Sequence, residues 1–159
     1  MCLGVSMSPA SIQFDDSLWP LLIIRFEGTT TIRQYEEYLA RRTSYLERGE
    51  RHVVILDLSR TSGLGPPEQR HLQVDWMKRH DAALRELVLG AAFVTDSAAV
   101  RLLISLVLHL KPLASPHVAV ASVPEAVAWV ADRLRQSGLE AEAHHLRTHR
   151  DLLPSRRSV

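Results

Sequence analysis

The chain has 159 residues, 46% hydrophobic and 23% charged, a balance that supports one globular domain and excludes a disordered polymer. Its 19 Lys and Arg nearly cancel its 18 Asp and Glu, so the broad basic field that nucleic acid binding needs is missing. The only cysteine, Cys2, excludes an internal disulfide and Cys-based zinc spacings, and no stretch approaches the roughly 20 apolar residues of a membrane span.

The N-terminus, MCLGVSMSPA, has neither a basic n-region nor a long apolar run, so a cytoplasmic, reducing location is expected. Met7 follows so soon that the residues before it are expected to add little to the fold, and residues 1–11 read as a flexible N-terminus. The alternation in SIQFD and the run LLIIRFEG, separated by Ser17 to Pro20, predict an antiparallel hairpin. A helix capped at Thr29, Thr30 or Thr31 then runs to about Arg48, with Ile32, Tyr35, Leu39, Arg42 and Leu46 on one face, and Gly49 stops it.

RHVVILDLS carries an unbroken apolar core and predicts a strand buried on both faces, the centre of the sheet. The loop Arg60 to Pro67 launches a helix from about Glu68 to His80, with Leu72 and Trp76 toward the sheet and Arg70, Lys78 and Arg79 solvated. LVLGAAFVTD is a further strand. Ser97 caps a helix from about Ala98 to Leu110, HVAVASV is the last strand, and Pro124 to about Gln136 forms a closing amphipathic helix stopped by Gly138. The order β-β-α-β-α-β-α-β-α implies an α/β fold with a mixed, largely parallel sheet and right-handed helical crossovers. The domain spans 12–136; the charged segment 137–159 reads as peripheral or disordered, with no core role.

The helix at 98–110 is apolar on two sides. Val100, Leu103, Ile104 and Val107 form one stripe and Leu102, Leu106 and Leu110 another, leaving Arg101, Ser105 and His109 as its polar residues. Such a helix is expected to be covered on both sides: within the monomer, in a homodimer, or by a partner or ligand. Leu102, Leu106 and Leu110 are thus the candidate interface.

Taken together, FEGTTTIRQYEEYL, VVILDLSR, EQRHLQVDWMKRH, GAAFVTDSAAVR and PEAVAWV resemble the SpoIIAA-like branch of the STAS and CRAL-TRIO-type domains, over about Leu21 to Leu134. The resemblance implies a SpoIIAA-like sheet backed by helices and a non-enzymatic role, either as a bacterial signalling adaptor or as a ligand-sensing module. In signalling members a Ser or Thr in a D-S-x-G-L pattern accepts phosphate beside a helix N-terminus. The stretch here is Thr61-Ser62-Gly63-Leu64-Gly65, so Ser62 is the implied phosphoacceptor. It departs from the pattern: no aspartate precedes the serine and Pro66-Pro67 follows, and the plainer role is a connecting turn.

Other chemistry is sparser. Asp57 lies at the C-terminal end of the central strand, where open α/β sheets bind ligands, although capping of the next turn also accounts for it. Ser62, His71 and Asp57 could be assembled into a hydrolase triad, but there is no G-x-S-x-G elbow. His144, His145 and His149 include an i,i+4 pair without a third ligand, so no metal or other cofactor is expected. Arg70 and Arg101, each near the start of a helix after a strand, are candidates to hold an anionic group, against the plainer reading as surface arginines. Trp76, Trp129, Tyr35 and Phe93 are expected in the core; lining one cavity together, they would favour a lipid-type ligand. The leading expectation is a regulatory protein-interaction domain, self-associating through the 98–110 helix. The alternative is a lipid or apolar small-molecule binder with a cavity beneath that helix, and a hydrolase ranks third.

Overall fold

A computed structural model of the protein describes residues 10–61 and 65–149. Its strands are β1 (Ser11–Asp15), β2 (Leu21–Gly28), β3 (His52–Thr61), β4 (Val88–Val94) and β5 (His117–Val120). Its helices are α1 (Ile32–Glu47), α2 (Pro67–Arg79), α3 (Asp81–Leu87), α4 (Ala98–Leu110), α5 (Val123–Gln136) and α6 (Glu140–His149). The five-stranded sheet has the order β1-β2-β3-β4-β5, with β1 antiparallel to β2 and every later pair parallel. The mixed, largely parallel α/β architecture expected from the alternating elements is therefore the one observed, with β3 at its centre.

Local chemistry explains most boundaries. Thr31 caps α1 with a capping box: its hydroxyl accepts from Gln34 N at 3.1 Å, and Gln34 Oε1 accepts from Thr31 N at 2.9 Å. Ser122 caps α5 with Glu125 in the same way, and Ser97 caps α4 through Val100 N at 3.3 Å. Beyond the C-terminal end of α1, Gly49 takes φ +68°, a left-handed conformation open to glycine without steric cost.

Because β2 to β5 are neighbours in chain order, crossovers of one hand put α1, α2, α3 and α4 on one face, and α5 and α6 fall on the other. Strand alternation divides the core accordingly. Leu21, Ile23, Val53, Ile55, Ala92 and Val94 pack with Val127, Val130 and Leu134 of α5. Leu22, Ile24, Phe26, Val54 and Leu56 pack with Tyr38 and Leu39 of α1, Trp76 of α2 and Leu84 of α3. Each such aliphatic or aromatic side chain contributes roughly 1.5–3 kcal/mol by leaving water.

The structure departs from the expected elements in places. The expectation that the chain beyond 137 has no core role does not hold for Glu140–His149, which is helical, with Leu146 fully buried and Ala143 2% exposed. The turn at Gly138 folds α6 back along α5, and Leu139 N donates to Leu134 O at 2.9 Å. The short helix α3 was not anticipated: its apolar anchors, Leu84 and Leu87, stand three residues apart, less than one helical turn, too short a span to show a period. On α2 the inward residues are Gln69, Val74, Trp76 and Met77, with Leu72 half-buried, so the burial is spread around the helix.

Candidate functional site

Between α4 and the sheet lies a cavity of about 170 Å³. Its floor is Phe26, Leu56, Val88, Ala91 and Phe93; its roof is the inward stripe of α4, Leu103, Ile104 and Val107; Tyr35 and Arg42 of α1 and Trp76 and Met77 of α2 close the side. The space has a physical origin. The floor carries only a methyl group at Ala91, and α4 stands off it: Val100 is the one buried residue of that helix. Van der Waals contact falls off steeply with distance, so an apolar gap is an unmet attraction that an apolar guest can supply.

Most polar groups in the wall satisfy one another. Gln69 Nε2, from the first turn of α2, donates to Thr30 O at 2.6 Å, and Tyr35 Oη donates to Gln73 Oε1 at 2.7 Å. Desolvation pushes the Tyr35 phenol well above its ordinary pKa, so it stays a neutral donor. At the C-terminal end of α4, Lys111 Nζ meets Asp81 Oδ1 at 2.6 Å and Arg85 reaches Asp81 Oδ2 at 3.1 Å. Hydrogen bonds from Lys111 and Arg85 hold the Asp81 carboxyl below its usual range, and they tie the end of the roof to α3.

Arg42 is different. It is 8% exposed, its Nη1 donates to Tyr38 Oη at 3.4 Å, and its guanidinium carbon lies 4.8 Å from the Trp76 ring centroid. A desolvated cation over an indole gains about 2 kcal/mol, whereas desolvating an ion costs several. The spacing in the sequence had placed Arg42 on the inward face of α1, where a cation among apolar residues was the available signal; it was not recognised as a site residue.

The sequence candidates are dispersed. Asp57 shares the alternation of Val53 and Ile55, so it faces the α5 side, away from the cavity, with Oδ1 accepting from Ser59 N at 3.1 Å and Ser59 Oγ at 2.5 Å. Ser62 lies outside the described residues. Arg70 lines the cavity beside Gln69; Arg101 is not in its wall, and its Nη2 donates to Thr95 O at 3.4 Å. His71 is exposed. Leu102, Leu106 and Leu110 on the outer side of α4 are 59%, 48% and 58% exposed. Of the four aromatics, Tyr35, Trp76 and Phe93 line this cavity, and Trp129, on α5, packs against the core on the opposite face of the sheet. His149 Nδ1 lies 2.9 Å from His145 O, and no group of three His, Cys, Asp or Glu is placed to hold a metal among the described residues. No helix among them is long and apolar enough to cross a membrane.

The sequence matches no protein-family model and no curated protein. The three-dimensional structure is similar to that of an uncharacterized protein from the DUF3478 family, with a SpoIIAA-like fold, from Shewanella loihica PV-4. The two superpose with a TM-score of 0.56 at 15% identity, covering 76% of this chain and 92% of the other. The fold of this chain is SpoIIAA-like.

Proposed function

We propose that this protein is a non-catalytic binding domain that takes an apolar small molecule between α4 and the sheet. The supporting observation is the 170 Å³ cavity walled by Tyr35, Trp76 and Phe93 under an apolar helix. An engineered apolar cavity of ~150 Å³ binds benzene, so the volume is enough for a guest of that scale. Trp76 provides the assay. Hexanol titrated into a Trp19→Phe, Trp129→Phe variant, whose emission is that of Trp76, quenches or shifts that emission saturably, and Ala91→Leu, which projects a larger group from the floor, abolishes the effect. Absence of saturable binding by the parent protein would refute the proposal.

A second reading is favoured by one observation, the exposure of Leu102, Leu106 and Leu110. In it α4 is the contact surface of a regulatory protein-interaction domain that also pairs with itself. Burying that stripe removes apolar surface worth about 25 cal/mol per Å². Light scattering separates the two: Leu106→Asp breaks a dimer under the second reading and leaves both mass and hexanol binding unchanged under the first.

A further inference from the structure

The cavity wall contains a buried cation that a purely apolar guest would leave unmatched. Arg42 lies in that wall, 8% exposed, with one long hydrogen bond to Tyr38 and a ring face for company. No carboxylate lies within ion-pairing distance of it among the described residues, and the wall's own acid, Asp81, is engaged by Lys111 and Arg85. A guanidinium stays charged and offers five N–H donors in a planar fork. Most of that capacity is unused here, and the partner that fits it is a planar anion with two acceptor oxygens.

We infer that the ligand is a small apolar monocarboxylate, its carboxylate on Arg42 and its single ring or short acyl chain between α4 and Ala91. The inference rests on the cavity being a ligand site. The space of about 170 Å³ suits a single ring or short chain better than a two-chain lipid. Charge favours a carboxylate over a phosphate. A dianion calls for a second cation at the same depth, yet Lys111 is matched by Asp81, and Arg70 is only half-buried, six residues before Trp76 and roughly 9 Å back along the α2 axis.

Hexanoate is compared with hexanol, and benzoate with benzamide, by isothermal titration calorimetry on the full chain at neutral pH. The acid of each pair binds ~10- to 100-fold tighter, the range for a hydrogen bond to a charged group. Arg42→Met removes that preference while hexanol still binds, and Arg42→Lys, which keeps the charge but not the fork, retains part of it. Equal affinity of acid and neutral partner in the parent protein overturns the role of Arg42 and leaves the cavity standing as a site. Failure of all four compounds to bind removes both. The parent comparison needs no variant, so it decides the matter even if Arg42→Met does not fold.

Discussion

Leu146→Ala measures whether α6 belongs to the folding unit. Leu146 is fully buried and shares a core with Val130, Leu134 and Ala143 beneath the α5 face of the sheet. Truncation to alanine removes three carbon groups at about 0.8 kcal/mol each, and the cavity left behind adds to that, giving about 3 kcal/mol within a usual range of ~2–5. Against a typical total stability of about 5–15 kcal/mol this is a large fraction, and for a chain of this length it lowers Tm by roughly 6–12 °C. Urea unfolding followed by circular dichroism gives the difference as a fall in midpoint at constant slope. Leu106→Ala, at a position 48% exposed, serves as the internal comparison and costs less than about 1 kcal/mol. A loss below about 1 kcal/mol for Leu146→Ala would mean that α6 does not pack on α5 in solution, and the division of the core described above would fail with it.

Two further outcomes follow from the packing. His52 is buried at the start of β3, stacks on Trp19 at 5.0 Å and donates Nδ1–H to Glu50 O at 2.9 Å; desolvation lowers its pKa from 6.5. A histidine harder to protonate folded than unfolded contributes stability at and above pH 6.5 that is lost as pH falls toward its folded pKa. Urea midpoints therefore decline below that pH, at no more than about 1.4 kcal/mol per unit for one proton, and a decline that persists unchanged in His52→Gln would show another group to be responsible. Gly90 lets α5 approach β4: a Cβ there would lie 2.8 Å from Arg133 Cγ and 3.1 Å from Trp129 Cζ3. Gly90→Ala destabilises by about 1–2 kcal/mol because Arg133 Cγ sits close to its own backbone and Trp129 Cζ3 belongs to a rigid ring, so neither gives way freely, and a neutral or stabilising result in the same urea assay contradicts the close approach.

The elements were legible because their signals are short-ranged. Alternation in SIQFD, the apolar core of HVVILDLS, the threonine and serine caps and the two leucine-rich sides of 98–110 each act within a few residues, and the corresponding strands and helices formed where expected. The segment after Gly138 misled because its charged composition suggests solvation, whereas Ala143 and Leu146, three residues apart, suffice once α5 offers an apolar surface. Asp57 was a reasonable site candidate by position along β3, but strand parity sent it to the face opposite the cavity.

Sequence alone determined the order of the five strands and of helices α1, α2, α4 and α5, the parallel sheet and the doubly apolar character of α4, since these follow from propensity, periodicity and capping. Tertiary structure decided which side of the sheet each helix covers, that α4 stands off Ala91, and that Arg42 lies against Trp76 in the wall of the resulting space. A gap between packed elements depends on the summed sizes of side chains far apart in the chain, and no local pattern records that sum.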